Sequence, residues 1–300
     1  MTQTILDAIG DTPLLHIDNN FIKCEFLNPS GSLKARLAKY MIERAEKEGL
    51  IKPGDTIVES TSGNTGNAMS MVAAVKGYKM IVCMPKDFSK ERAYISRAFG
   101  ADVRFVGTFN VDEAMAESLR LGALPGHWCP QQFNNEWNVE ENEKWMAEEI
   151  LSQIPKGVTI DAVTNGIGTG GTLIGVGKVL KEKHNPNIKV VAMEPDGAAL
   201  IKCGEFSHHL IEGISDGFVP GIIERHRDEI DDIVRVSGED AVAKMKELAR
   251  TYGTFVGPSS GANWLAADRI REKHKDVKNV LTFFCDKGEK YLYDHFKNED

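Results

Sequence analysis

The strongest constraint on how this chain folds is a repeated order of segments: a short strand-like run, a polar loop with glycines, then a helix-period stretch. Thr56–Ser60 leads straight into Thr61-Ser-Gly-Asn-Thr-Gly66 and a predicted helix over 67–76, which Gly77 stops. Strand 79–84, helix 89–99, strand 103–106 and helix 111–121 follow. A second series opens with strand 161–164, the loop Asn165-Gly-Ile-Gly-Thr-Gly-Gly-Thr172, helix 173–183 and strand 188–193. Alternation of this kind specifies βαβ units and a parallel sheet, because parallel strands need a long crossover. Outside this core, residues 4–17 read as a turn into a short strand, Asn19-Asn20 as a turn and 21–26 as a strand. Residues 126–138 form a polar, aperiodic loop before a helix over 140–154, and the charged stretch 223–232 reads as a solvated face. Ser237 and Asp240 form a capping box for a helix to Tyr252. A strand from Phe255 enters the hydroxyl-rich turn Gly257-Pro-Ser-Ser-Gly261 before helix 262–273, and strand 280–285 ends in Asp286-Lys-Gly-Glu-Lys-Tyr291. Polar loops thus recur at strand C-termini, where open α/β sheets bind ligands.

Three of these stretches carry chemistry. Asn28-Pro-Ser-Gly is turn chemistry, and apolar residues at Leu33, Leu37, Met41, Ile42 and Ala45 give helical spacing behind it. Lys34 is therefore expected at the exposed start of a helix, where the dipole disfavours a cation and lowers the amine pKa. A lysine of depressed pKa is a Schiff-base nucleophile or proton shuttle; a solvated lysine near a helix start is the plainer alternative. The loop after Thr56–Ser60 aims backbone N–H groups at an anion, and the hydroxyl and amide groups of Thr61, Ser62, Asn64 and Thr65 exceed what capping needs. A simple capped βα loop remains the competing reading. Gly166, Gly168 and Gly171 fit the dinucleotide pattern G-x-G-x-x-G, with Glu194 near the end of the next strand as ribose-binding acid. The same loop suits a single phosphomonoester, held by N–H groups from Gly168 to Thr172, or no ligand at all.

Composition excludes other classes. A net charge of −8 argues against nucleic-acid and anionic-membrane partners. No apolar run is long enough to span a bilayer, and the N-terminus lacks the features of a signal peptide. Cys24, Cys83, Cys129, Cys203 and Cys285 are scattered and odd in number, three of them in strand-like runs, so buried reduced thiols and a cytoplasmic location are expected. No metal is expected.

Taken together, from Ile9 to about Tyr293, these loops resemble the cysteine synthase and cystathionine β-synthase family of pyridoxal-phosphate (PLP) enzymes. That resemblance implies PLP fold type II, the tryptophan synthase β-like fold: two three-layer α/β domains with mainly parallel sheets. The implied division is a smaller domain over 34–140 and a larger one from 1–33 with 141–300. Asn28-Pro-Ser-Gly-Ser-Leu-Lys-Ala-Arg36 matches the family's N-P-x-x-S-x-K-x-R, which implies that Lys34 carries the cofactor as a Schiff base. Thr61, Ser62 and Thr65, with Gln132, match the grip on the substrate carboxylate, and Asn64 the residue facing the cofactor's ring hydroxyl. Gly168, Thr169, Gly170, Gly171 and Thr172 match the phosphate cup, and Ser259 the partner of the pyridine nitrogen. The dinucleotide reading leaves Lys34, Asn64 and Ser259 without a task. Two residues depart from the family: Ala35 replaces the usual aspartate, and Ser215-Asp216 stand where sulfhydrylases carry small residues. Asp216 is accordingly a candidate catalytic base or acceptor-binding group.

The implied reaction is β-replacement on a serine-type amino acid, with O-acetylserine, serine or cysteine as donor and sulfide, a thiol or water as acceptor. A cysteine synthase is the leading expectation, and a cysteine desulfhydrase or cystathionine β-synthase activity the alternative. A nucleotide-binding or inactive regulatory relative is the alternative of another class. The resemblance also implies a homodimer and leaves a serine acetyltransferase open as partner.

Overall fold

The computed structural model describes residues 3–86, 90–108 and 111–297. The first half runs through β1 (Leu14–Ile17), β2 (Asn20–Lys23), α1 (Lys34–Lys47), β3 (Thr56–Ser60) and α2 (Asn64–Lys76). It continues with β4 (Lys79–Met84), α3 (Lys90–Ala98), β5 (Asp102–Phe105), α4 (Asp112–Gly122) and β6 (His127–Trp128). A broken helix follows: α5 (Trp137–Glu141), a π-helical turn Asn142–Met146 and α6 (Ala147–Gln153). Then come β7 (Ala162–Gly166), α7 (Gly171–Lys183), β8 (Lys189–Pro195), α8 (Leu200–Cys203), α9 (Gly221–Arg225) and β9 (Asp232–Val236). The chain ends with α10 (Gly238–Tyr252), α11 (Pro258–Lys273), β10 (Val280–Phe283) and α12 (Leu292–His295).

Two sheets result, in the orders β5-β4-β3-β6 and β1-β2-β10-β7-β8-β9. Every neighbouring pair is parallel except β1 with β2. Their strands read as continuous apolar runs because both faces are covered. In β8, Val190 and Ala192 pack with Leu173, Ile174 and Val176 of α7, whereas Val191 and Met193 pack with Ala262, Ala266 and Ile270 of α11. In β4, Met80, Val82 and Met84 join Leu37, Met41 and Ile42 of α1, whereas Ile81 and Cys83 face Ala114 and Leu121 of α4. The period of two within each strand therefore builds a helix–sheet–helix sandwich around each sheet. This is the α/β fold with mainly parallel sheets that the segment order implied.

Several boundaries differ from the sequence reading, each for a physical reason. Helix α2 starts at Asn64 rather than 67, and α7 at Gly171 rather than 173, so loop residues expected before each helix form its first turn. Phe255 opens no strand; Val256 makes one isolated bridge to Lys287, and α11 starts at Pro258, which needs no N–H donor there. Stretch 223–232 is not simply solvated: Ile223 is fully buried and β9 begins at Asp232. Strand β6 lies inside the loop 126–138 and is too short for periodicity to reveal. All five cysteines are free, and Cys24, Cys83 and Cys285 are buried.

Candidate active site

The C-terminal ends of β3, β7 and β10 deliver their loops to one pocket. Lys34, Thr61, Ser62, Asn64, Thr65, Gln132, Gly168, Thr169, Gly170, Thr172, Asp216 and Ser259 all line it. Gly171 stands just behind, as the first residue of α7.

Lys34 is the first residue of α1, and its approach is pinned on both sides. Leu33 N donates to Cys285 O at 2.9 Å, and Ser32 bridges Asp286. Two residues on, Arg36 is buried and forks onto Glu25 at 2.8 Å and Glu149 at 2.8 Å, fixing the helix start to the larger sheet's side. Lys34 is not exposed, as the sequence reading had it, but faces the pocket. Burial pushes its amine pKa below the ordinary value, while Cys285, Asp216 and Asp286 pull the other way.

The loop after β3 is held by a residue the sequence reading missed. Gly63 has φ +141°, and a Cβ there would lie 2.1 Å from Arg92 Cδ. The close approach lets buried Arg92 donate to Ser62 O at 3.0 Å, while it also pairs with Glu212 at 2.9 Å and donates to the Tyr291 hydroxyl at 2.5 Å. Tyr291 in turn donates to Asp286 Oδ2 at 2.7 Å, which also accepts from Asn64 Nδ2 at 2.8 Å. Lys290 donates to Asn64 Oδ1 at 2.6 Å, so the Asn64 amide is locked in one orientation. The Asp286-Lys-Gly-Glu-Lys-Tyr291 run was visible as a polar loop at a strand end; its use as a clamp on Asn64 was not.

Thr65 Oγ1 donates to Gln132 Oε1 at 2.6 Å, and Gln132 Nε2 donates to Ser60 O at 2.8 Å. Buried Glu59 accepts from the Gln132 and Ser60 backbone amides at 3.1 and 2.9 Å, yet burial still pushes its carboxyl up to about 7. Thr65 and Gln132, far apart in sequence, thus present one polar wall.

The 168–172 loop is a cradle that only small residues permit. Gly170 has φ +90°, and a Cβ would sit 2.4 Å from Ile223 Cδ1. A Cβ on Gly168 would meet Gly213 O at 2.9 Å. Thr169 Oγ1 accepts from Asn138 Nδ2 at 2.8 Å, which anchors the loop to α5. The N-terminus of α7 points its amides and dipole into the cradle. Glu194, by contrast, is buried away from the pocket and accepts from the amides of Ile201 at 2.8 Å and Lys202 at 3.2 Å. It caps α8 and is not placed to hold a ribose.

Ser259 lies in the first turn of α11 and lines the pocket with Cys285, whose thiol burial pushes up to about 12. Asp216 lines the pocket after Ser215, which takes a positive φ of 50° between Gly213 and Gly217. Its carboxylate has no hydrogen-bonded turn partner among the described residues. Burial pushes it up to about 6, against the opposing pull of Arg92 and Lys34.

A family model described as pyridoxal-phosphate dependent enzyme matches residues 5–286. The chain belongs to this family. Within it, a cysteine synthase of Staphylococcus aureus is 41% identical over 297 residues, covering 96% of this chain and 94% of the relative. Among solved structures, an O-acetylserine dependent cystathionine β-synthase from Helicobacter pylori superposes with a TM-score of 0.91 at 35% identity, covering 98% of both chains. A hydrogen sulfide-producing enzyme from Fusobacterium nucleatum gives 0.89 at 36% identity, covering 97% of this chain and all of that one. The protein is a PLP-dependent enzyme of the tryptophan synthase β-like fold.

The residues present fit the family's cofactor. The glycine cradle at the start of α7 leaves room for a phosphate where side chains would close it. Across the same pocket stand a buried amine at Lys34, a locked amide at Asn64 and a hydroxyl at Ser259.

Proposed function

We propose that this PLP enzyme catalyses β-replacement on a serine-type amino acid, with O-acetylserine and sulfide giving cysteine and acetate as the leading case. One observation carries the reading: the buried amine of Lys34 shares a pocket with the Thr65–Gln132 wall, the 168–172 cradle and the neutral hydroxyl of Ser259. When bound, pyridoxal phosphate supplies a carbonyl for the substrate amine and an electron sink that acidifies the α-proton. In this reading the 168–172 amides hold the phosphate, and Asn64, fixed by Asp286 and Lys290, orients the ring hydroxyl. Thr61, Ser62, Thr65 and Gln132 grip the substrate carboxylate. Lys34, with its pKa lowered by burial, takes the α-proton as a free amine. Ser259 cannot keep the ring nitrogen protonated as a carboxylate would, which favours departure of the β-substituent over transamination.

Asp216 favours a second reaction. Its carboxyl lines the pocket without a hydrogen-bond partner among the described residues and is pushed up to about 6 by burial, suiting a base that activates water. Cysteine and water would then give serine and sulfide. Holoenzyme supplied in turn with O-acetylserine plus sulfide and with cysteine alone separates the two; forming neither cysteine nor serine would refute both. With Asp216→Asn, serine formation from cysteine should fall steeply, and a change within about twofold would leave Asp216 without a catalytic role.

We also read residues 34–140 as a smaller domain and 1–33 with 141–300 as a larger one. In support, the four-stranded sheet lies wholly within 56–128, and the six-stranded sheet draws on 14–23 and 162–283. Homodimer assembly rests on the family resemblance, and a cytoplasmic location on the scattered cysteines, which are free. Among the described residues no helix is long and apolar enough to cross a membrane.

A further inference from the structure

The turn after β10 holds a buried cation that has no step of its own in β-replacement. Lys290 lies in the short 3₁₀ turn Gly288–Tyr291 and is only 4% exposed. An ammonium group is costly to bury unless oxygens surround it. Here it donates to Asn64 Oδ1 at 2.6 Å, Gly31 O at 2.9 Å and Ser30 O at 3.4 Å. Ser30 and Gly31 belong to the turn that leads into Lys34. Gly31 takes φ +71° there, and a Cβ on it would lie 3.5 Å from Lys290 Cε. One cation thus joins the approach to Lys34 with the amide of Asn64.

That amide fits between its neighbours in one orientation. Turned over, Nδ2 would face the ammonium group and Oδ1 the Asp286 carboxylate, both contacts of like sign. As it stands, Nδ2 gives one N–H to Asp286 Oδ2 at 2.8 Å and has a second to offer the pocket that Asn64 lines. Oδ1 is drawn on by the ammonium group, which makes it a poorer acceptor for anything further. The amide therefore offers the pocket a donor. Asp286 by itself would favour the opposite, but its Oδ2 also accepts from the Tyr291 hydroxyl at 2.7 Å, and Arg92 stands behind Tyr291. Burial lowers the Lys290 pKa to about 8, with Arg92 and Lys287 acting in the same sense and Asp286 and Glu289 against it. The group is charged at neutral pH.

We propose that Lys290 is a positioning residue for the cofactor: through Asn64 it holds the ring hydroxyl of bound pyridoxal phosphate in its ionised form. The proposal rests on the reading that Asn64 faces that hydroxyl. A donor N–H and a nearby positive charge both favour an oxygen anion over a hydroxyl. The ionised ring gives the bound cofactor its yellow, long-wavelength absorption, and protonation of the ring oxygen moves that absorption to the near ultraviolet. Lys290 acts through the amide and carries no proton to or from the substrate.

The test reads the colour of holoenzyme rather than its turnover. Wild type, Lys290→Met, Lys290→Gln, Lys290→Arg and Asn64→Ala are loaded with pyridoxal phosphate, and absorbance is followed as pH is lowered from neutral. The yellow band of wild type should persist. In both neutral variants it should give way to the near-ultraviolet band about one pH unit higher or more, a tenfold change in proton affinity. Lys290→Arg keeps the charge and should recover about half of that shift or more. In the Asn64→Ala background, adding Lys290→Met should move the band far less, because the link is gone. Neutral variants that match wild type overturn the proposal, as does an arginine variant that shifts as far as the methionine one. So does failure of both neutral variants to fold or hold cofactor, which makes Lys290 a scaffold residue. If Asn64→Ala by itself leaves the band unmoved, Asn64 does not face the ring hydroxyl, and that reading falls with the proposal.

Discussion

Lys34 and Ser259 each present a single polar group to the pocket, and on the proposed roles their substitutions should give different kinds of failure. Lys34→Ala should abolish turnover and leave no bond for borohydride to fix, yet the fold should hold, since removing a buried amine relieves a desolvation cost. Near-normal turnover of that variant would end the assignment. Ser259→Asp places a carboxylate where the hydroxyl stands and should slow β-replacement by on the order of 10²-fold, whereas Ser259→Ala should be far milder. Equal damage from both would show that the hydroxyl has another task. At this scale the sequence was readable, because each group sits in a compact motif whose neighbours constrain it: Pro29 and Gly31 before Lys34, Pro258 before Ser259. What was not readable was burial. The charges that act on the Lys34 amine, from Cys285 and Asp216, reach it only through the tertiary fold.

The loops, as elements, depend on one another through Arg92. It ties the loop after β3 to the loop containing Glu212 and to the C-terminal Tyr291, with Gly63 as the space that admits it. Gly63→Ala should therefore displace Arg92 and disturb both loops, raising the donor KM and lowering Tm by an amount corresponding to about 2–4 kcal/mol. Arg92→Lys keeps the charge but loses the fork; it should recover stability better than it recovers donor affinity. If Gly63→Ala binds donor normally, the clamp has no part in shaping the loop. Pattern reasoning located each loop from its glycines and hydroxyls, but Arg92 reaches Ser62 across 30 residues and Tyr291 across 199. No local period encodes such a contact. The helix starts at Asn64, Gly171 and Pro258 slipped for a related reason: ligand-loop residues and first-turn residues are the same polar, small types.

Across the whole molecule, buried carboxyls set how stability responds to pH. Burial pushes Glu141 up to about 8, Glu59 to about 7 and Asp216 to about 6. Each binds its proton more tightly when folded, so stability falls as pH rises from the ordinary carboxylate range through these values. Glu149 works in the opposite sense: burial opposes its charge, but Arg36 and Lys23 hold it down to about 2, so its contribution is lost in acid. Glu141 has a buried oxygen without a partner. Glu141→Gln should raise Tm more at pH 8 than at pH 5.5, by an increment on the order of 1 kcal/mol or more. Thermal melts of wild type and variant at the two pH values decide it, and equal increments would place the Glu141 pKa in the ordinary range.

Strand β2, near the start of the chain, pairs in parallel with β10, near its end: Asn20 lies beside Val280 and Lys23 beside Phe283. A ribosome delivers these partners in the wrong order for early docking. The four-stranded sheet, complete by Trp128, has all its strands available while more than half the protein is still unmade. The β1–β2 hairpin, however, must wait with an unpaired edge for almost the entire length of synthesis, and Lys34, anchored through Leu33 to Cys285, waits with it. Lys34 is thus among the first residues made and among the last to be fixed in place. A chain interrupted before residue 280 keeps the 61–66, 168–172 and 257–261 loops but has neither the strand that closes the larger sheet nor the 286–291 clamp on Asn64.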